Sequence, residues 1–272
     1  MSSLSEALSP FSSVVITGGS SGIGKSFIEL GAKLKPDLVF CNLSRRDPGL
    51  KNFGKRLNHF SCDLAQPAEV VRGAGEVEAF LRNEVPSGAV LLINNSGFGA
   101  YGRFPEPNLA HQLEMLDVNV RALVQLTGQL LPFLRERGGA IINVASTAAF
   151  QPTPFMAAYG ASKAFVLHWS LALNEELRGT GVRVLAVCPG PTSTEFFRRA
   201  GLQQGSVADS LSMSCEAVVM ASLRALGAGR SLVVTGWKNK LLAVVGSMAP
   251  KSLAARVSAK VLARYRLKQV KR

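Results

Sequence analysis

Short apolar runs alternate along the chain with longer segments in which apolar residues recur at helical spacing. The apolar runs predict strands at residues 13–17, 38–43, 59–62, 89–94, 140–145, 182–188 and 232–235. Several are apolar throughout, which is typical of strands buried on both faces of a sheet. The longer segments predict helices at residues 23–34, 67–83, 109–134, 157–178 and 215–226. This alternation predicts parallel βαβ units and a doubly wound α/β sheet flanked by helices.

Composition adds a single large core to this picture. The chain has 272 residues, of which 47% are hydrophobic and 18% charged, and this balance excludes a disordered chain. The first eleven residues lack the basic and apolar regions of a signal peptide, and the apolar stretch at 241–250 is too short to span a bilayer. No two of the four cysteines have metal or redox spacing. We therefore expect a cytoplasmic protein with reduced thiols and no metal site.

The charge is concentrated at one end of the chain. Residues 238–272 carry ten basic residues and no acidic one, out of a net charge of +13 for the whole chain. Beyond Pro250 the bases recur every fourth residue beside an apolar stripe, which predicts a basic amphipathic helix. We divide the chain into a catalytic domain at 1–237 and this helical extension at 238–272. Packing on the protein, peripheral contact with an anionic membrane and binding to an acidic carrier remain open for the extension.

A glycine-rich segment follows the first predicted strand and precedes the first long helix. It reads Thr-Gly-Gly-Ser-Ser-Gly-Ile-Gly over residues 17–24. Glycines in such a turn let the backbone approach a pyrophosphate, and the helix N-terminus offers N–H groups to the anion. The segment therefore indicates a dinucleotide site.

The end of the second strand indicates which dinucleotide binds. NAD enzymes place an acidic residue here to hold the ribose diol, whereas this chain has Ser44, followed by Arg45 and Arg46. A hydroxyl and guanidinium groups suit a 2′-phosphate, so the sequence favours NADP(H) over NAD. The nearby Asp47 keeps NAD open as the alternative.

A tyrosine and a lysine lie one helical turn apart, at Tyr159 and Lys163. An ammonium beside a phenol lowers the phenol pKa and makes an acid/base group usable near neutral pH. Ser146 precedes the tyrosine by 13 residues, at the carboxyl end of a predicted strand, where ligands bind in open α/β sheets.

Together these motifs resemble the short-chain dehydrogenase/reductase family across nearly the whole chain. The Asn-Asn-Ser-Gly segment at 94–97, Asn119 and the loop at 189–194 also match, with Ser96 replacing the family's alanine. The resemblance implies a single Rossmann-like domain with seven parallel strands, assembled into homodimers or homotetramers. It implies that Tyr159 is the acid/base, that Lys163 assists it and holds the ribose, that Ser146 orients the carbonyl and that Asn119 serves a proton relay. The implied cofactor-binding residues are Thr17, Gly18, Ser20, Ser21, Gly22, Ile23, Gly24, Ser44, Arg45, Arg46, Asp63, Leu64, Asn95, Ser96, Gly97, Tyr159, Lys163, Pro189, Gly190, Thr192 and Thr194.

Aromatic residues follow several strand ends and predict an apolar substrate pocket. We assign this pocket to Phe98, Tyr101, Phe150, Phe155 and Phe196. The sequence looks most like the branch of 3-oxoacyl reductases and hydroxysteroid dehydrogenases, so we expect an NADPH-dependent enzyme that interconverts a hydrophobic ketone and a secondary alcohol. The alternative is a non-catalytic NADP-binding scaffold. No nucleic-acid partner is expected, because the bases lie in one terminal segment without an aromatic platform.

Overall fold

The structure, a computed structural model, describes residues 4–192, Ala200 and residues 212–266. Within them the strands are β1 (Phe11–Thr17), β2 (Val39–Ser44), β3 (Leu57–Ser61), β4 (Ala89–Asn94), β5 (Gly139–Val144), β6 (Val182–Cys188) and β7 (Leu232–Val234). The α-helices are α1 (Leu4–Leu8), α2 (Gly22–Leu34), α3 (Pro67–Glu84), α4 (Leu109–Leu116), α5 (Ala122–Arg137), α6 (Ala157–Glu176), α7 (Cys215–Gly227), α8 (Trp237–Met248) and α9 (Lys251–Arg266). Shorter helical segments are the π-helical turn Asp117–Arg121 and the 3-10 segments Lys51–Arg56 and Thr147–Phe150.

The strands form one parallel sheet in the order β3-β2-β1-β4-β5-β6-β7. This confirms the predicted doubly wound, seven-stranded α/β fold. The winding direction reverses between β1 and β4, which are neighbours in the sheet. The chain therefore leaves the two strands toward opposite faces, and a crevice opens at their carboxyl ends.

Alternate residues of the central strands bury their side chains in two separate cores. Val14 and Ile16 of β1 lie in a core that includes residues of α2 and α7, whereas Val15 lies in a core that includes residues of α3 and α5. Both faces of the sheet are covered by helices. The central strands therefore carry apolar residues at the alternate positions that would be polar in a sheet with one face in water. The sheet is thus a rigid support for the loops at its carboxyl edge.

The helix predicted as one piece over residues 109–134 is interrupted. A π-helical turn at Asp117–Arg121 separates α4 from α5, with buried Asn119 inside it. The π-helical segment is a single turn inside a long helical stretch, so the apolar pattern on either side of it did not reveal the break. Helix α1 was not predicted, and helix α8 was predicted only as part of the helical extension at 238–272. Helix α8 begins one residue before the proposed boundary at 237/238, and that division remains a prediction.

Candidate active site

The loops after β1 and β4 are locked together at the crevice. The Thr17 hydroxyl oxygen accepts hydrogen bonds from the backbone N–H groups of Asn95 and Ser96, both at 3.0 Å. Gly18 has a left-handed φ of +71°, and a Cβ there would lie 2.6 Å from the Ser96 Oγ. A Cβ on Gly24 would lie 2.5 Å from the Gly18 carbonyl oxygen. Only glycine fits at these two positions, where the first turn of α2 approaches both loops.

A cleft of about 720 Å³ runs along this edge of the sheet. Its volume falls within the range of small-molecule and cofactor sites. At the start of α2 it is bordered by Ser21, which makes no side-chain capping bond, so backbone N–H groups there can bind an anion. The cleft is lined by these predicted cofactor residues: Gly18, Ser20, Ser21, Gly22, Ile23, Ser44, Arg45, Arg46, Asp63, Leu64, Asn95, Ser96, Gly97, Tyr159, Lys163, Pro189, Gly190 and Thr192.

Three further predicted cofactor or catalytic residues lie elsewhere. Thr17 and Gly24 do not line the cleft, but they contact and support the loops that form it. Asn119 is also not among the described residues that line the cleft. Its amide accepts from the Phe98 N–H at 3.1 Å and donates to the Phe98 carbonyl at 3.0 Å and to the Ser162 Oγ at 3.1 Å. The Asn119 side chain therefore positions the loop after β4 against α6. Thr194 lies outside the described residues.

The arginine loop after β2 is ordered by a chain of hydrogen bonds that begins at the glycine loop. The Gly19 N–H donates to the Asn42 Oδ1 at 2.8 Å, Asn42 donates to the Ser44 hydroxyl at 2.9 Å, and Ser44 donates to the Arg46 carbonyl at 2.7 Å. The hydroxyl of Ser44 is thus used inside the protein, whereas the guanidinium of Arg45 extends to the cleft. Arg45 lies 3.7 Å from the Glu114 carboxylate of α4 in a largely exposed ion pair.

Ser146, Tyr159 and Lys163 lie together at one end of the cleft, next to the carboxyl end of β5. The phenol of Tyr159 is hydrogen-bonded to the Ser146 side chain. Lys163, one turn further along α6, donates from its Nζ to the Val144 carbonyl at 2.8 Å. Both Tyr159 and Lys163 are more than nine-tenths buried. The three residues form a compact polar group with access to the cleft and little contact with bulk water.

Burial controls the protonation of this group. It raises the pKa of the Tyr159 phenol from 10 to about 12, although the hydrogen bond from Ser146 acts in the opposite direction. It also lowers the pKa of Lys163 from 10.5 to about 8. The sequence predicts that the ammonium lowers the phenol pKa, whereas in this structure Lys163 is not among the groups that shift the pKa of Tyr159 and desolvation of the phenolate is the largest effect. At neutral pH the phenol is therefore protonated, which is the form of a proton donor.

Of the described residues assigned to the substrate pocket, one lines the cleft and three do not. Phe98 lines the cleft, where its ring packs 5.0 Å from that of His111. Tyr101, Phe150 and Phe155 do not line it: Tyr101 is buried and donates from its hydroxyl to the Leu262 carbonyl of α9. Phe155, at a left-handed φ of 66°, packs against Tyr101, and Phe150 packs against a separate apolar cluster. The sequence showed that these aromatics follow strand ends but not which way they turn. Phe196 lies outside the described residues.

One face of α4 contributes cleft residues that the sequence analysis missed. His111 and Glu114 line the cleft, followed by Val118 in the π-helical turn. Their spacing of three and four residues is that of one helix face, and this signal was available in the sequence. Met156 and Thr147 also line the cleft beside Tyr159.

A doubly wound sheet with a glycine-lined cleft at its switch point, and a buried tyrosine and lysine at one end of that cleft, is typical of a dinucleotide-dependent oxidoreductase. Comparison with known proteins narrows this class. The family model for short chain dehydrogenase matches residues 12–205. The chain belongs to the short-chain dehydrogenase/reductase family, whose members use a nicotinamide dinucleotide.

The proteins similar to this chain include solved structures that hold NADPH or NAD. The ketoacyl reductase HetN of Nostoc sp. is 30% identical over 240 residues, covering 87% of this chain and 79% of the relative. A short-chain dehydrogenase from Sphingobium yanoikuyae, solved with NADPH, is 30% identical with a TM-score of 0.72 and covers 86% of this chain and 92% of that one. A family member from Burkholderia phymatum, solved with NAD, is 22% identical with a TM-score of 0.73 over 86% and 92% of the two chains, and shows the fold alone.

Proposed function

We propose that the protein is an NADPH-dependent reductase of apolar ketones, with 3-oxoacyl compounds as the leading substrate class. The observation that carries this proposal is the buried, hydrogen-bonded pair of Ser146 and Tyr159, with Lys163 one turn away, at the end of a cleft that Arg45 borders. This arrangement provides a proton donor and a phosphate-binding side chain in one cavity. A non-catalytic scaffold would not need the first of these.

The chain's own residues suit NADP(H). When bound, the cofactor supplies the hydride. The N-terminus of α2 would hold its pyrophosphate, because uncapped N–H groups and the positive helix end favour an anion. The guanidinium of Arg45 would hold the 2′-phosphate, for which it must leave Glu114. Ser44 acts indirectly, because its hydroxyl already donates to the loop that carries the two arginines.

Proton transfer follows from the arrangement around Tyr159. The Ser146 hydroxyl holds the substrate carbonyl beside the phenol, and Tyr159 donates its proton to the carbonyl oxygen as negative charge develops there. With a pKa of about 12, the phenol is fully protonated before the reaction. Lys163 carries a charge below pH 8 and stabilises the phenolate that the transfer leaves. This protonation pattern favours the reductive direction.

An apolar substrate suits the wall beside the proton donor. Phe98 and Met156 line the cleft and pack in one apolar cluster with Tyr159, and Ala145 also lines the cleft. A polar substrate would leave its own groups without partners against these side chains. The relative named as a ketoacyl reductase supports a 3-oxoacyl compound within this class.

The proposal is tested with purified protein, NADPH and a panel of carbonyl compounds, following the loss of NADPH absorbance. The panel contains 3-oxoacyl thioesters of increasing chain length, apolar cyclic ketones and short polar aldehydes. We expect turnover with the first two groups and a kcat/KM that rises with chain length. Turnover confined to polar aldehydes would refute the substrate class. Cofactor binding without turnover on any member would instead favour the scaffold.

A further inference from the structure

The C-terminal helices α8 and α9 carry their side chains in an unusual arrangement. On α8 the buried side is formed by Asn239 and Ala243, and on α9 by Ala254. A helix on a protein in water normally turns its large apolar residues inward. Here small and polar residues are inside, so the large apolar residues must lie elsewhere.

Those large residues lie on the outer side. Helix α8 exposes Trp237, Leu241, Leu242, Val245 and Met248, with exposed fractions up to 80%. Helix α9 exposes Leu253, Val257 and Val261, which recur every four residues on one face. Scattered apolar residues on a surface need no explanation, but a concentration of them on two consecutive helices marks an interaction surface.

The inner side is fixed to the catalytic body, so the outer side is presented in a defined orientation. Asn239 donates to the Thr235 carbonyl at 3.0 Å and lies against Gly190, which lines the cleft. At the other end, the Leu262 carbonyl accepts the hydroxyl of buried Tyr101. The two helices are therefore anchored beside the cleft rather than attached through a free linker.

The charge on these helices identifies the partner. Lys238, Lys240, Arg256 and Lys260 are exposed among the apolar residues. The last acidic residue of the chain is Glu216, so the final 56 residues contain no acidic side chain and this part of the chain is strongly basic. A second copy of the chain meeting this same face would bring positive charge against positive charge. A surface that is both apolar and negatively charged satisfies the bases and the apolar side chains together.

We propose that the outer face of α8 and α9 docks on the surface of an anionic phospholipid bilayer. The apolar side chains enter the boundary between headgroups and acyl chains, and the four bases contact the phosphates. Trp237, at the start of α8, suits the headgroup level, where tryptophan is enriched. None of the helices in the described part of the chain is long and apolar enough to cross a membrane, so the helices lie along the surface.

The test is flotation of the full chain with vesicles of neutral phosphatidylcholine, or of phosphatidylcholine with phosphatidylglycerol. We expect binding to the anionic vesicles only, reversed by high salt. A base near such a surface strengthens binding by roughly fivefold, so replacing Lys238, Lys240, Arg256 and Lys260 by glutamine should weaken it by at least a hundredfold. Lys251 is left intact, because it caps the carboxyl end of α8. The matched control replaces the exposed bases Lys33, Lys55, Arg135 and Arg230 by glutamine and should bind like the wild type.

Tryptophan fluorescence separates lipid insertion from simple charge attraction. We expect the emission to shift to shorter wavelength on anionic vesicles, and the shift to be absent in Trp237→Phe, which alters an exposed residue and leaves the fold intact. No binding to anionic vesicles at low salt would overturn the proposal, as would equal loss in the control variant or binding without a Trp237-dependent shift. A wild-type dimer that Leu241→Glu with Val245→Glu converts to monomers, without vesicle binding, would assign the surface to a second copy instead.

Discussion

Cofactor preference should depend on Arg45 and on its partner across the cleft. The Arg45 guanidinium lies 3.7 Å from the Glu114 carboxylate, with the two side chains 62% and 39% exposed. A 2′-phosphate must take the place of that carboxylate. Replacing Arg45 by alanine removes the phosphate ligand, and replacing Glu114 by glutamine removes its competitor. The two substitutions should therefore act in opposite directions on NADPH binding.

The size of each effect on NADPH binding depends on the type of contact that is lost and on how exposed that contact is to water. A charge-assisted contact to a phosphate contributes roughly 1.5–3 kcal/mol, so Arg45→Ala should weaken NADPH binding by roughly 10- to 150-fold. An exposed ion pair contributes only about 0–1 kcal/mol because water screens it, so Glu114→Gln should strengthen NADPH binding by roughly fivefold at most. NADH has no 2′-phosphate, and its affinity should change little in either variant.

The assay is titration of the intrinsic fluorescence of NADPH and NADH with each variant. Arg178→Ala is the matched control, because Arg178 forms another exposed pair, with Glu175, away from the cleft. Equal losses for NADPH and NADH in Arg45→Ala would refute the assignment of the 2′-phosphate site. A wild type that prefers NADH would do the same.

Two further predictions concern backbone space and buried charge. Gly18→Ala should lower both the melting temperature and NADPH affinity, because its Cβ would lie 2.6 Å from the Ser96 Oγ at a left-handed φ. Gly128→Ala, in helix α5 with open space around the new Cβ, should instead raise the melting temperature, and the opposite order would contradict the account. Burial lowers the pKa of Lys163 to about 8 in the folded state, so the unfolded state binds more protons between pH 8 and 10.5. The free energy of unfolding of the wild type relative to Lys163→Met should therefore rise over that range, by roughly 1–3 kcal/mol in chemical denaturation. A pH-independent difference would show that Lys163 is not desolvated.

The sequence predicted well those parts of the fold where a pattern of residues is compatible with only one type of structural element. The apolar runs that became β4 and β6 are covered on both faces, so no other element buries them as completely. The glycine positions of the first loop follow from close approach of backbone and side chains, as at Gly18 and Gly24. The doubly wound sheet and its cleft were therefore available from sequence.

The remaining features depend on contacts between distant residues. The π-helical turn around Asn119 arises where that amide bonds to Phe98 and Ser162, which the local pattern does not encode. Helix α8 was predicted only as part of the extension at 238–272, and the outward orientation of its large residues depends on how it packs on the rest of the protein. Tyr101 was assigned to the substrate pocket, and its hydroxyl instead contacts a helix about 160 residues away in sequence.

The central claim is that Tyr159 is the proton donor of a reductase, and Tyr159→Phe tests it most directly. The substitution removes one oxygen from a residue whose ring stays packed against Met115 and Ala100. NADPH affinity, measured by fluorescence, should remain within about twofold of the wild type, and kcat on the best ketone of the panel should fall by at least roughly 100-fold, the lower range of what a positioned acid contributes. A variant that binds NADPH normally and retains a wild-type kcat would contradict the account.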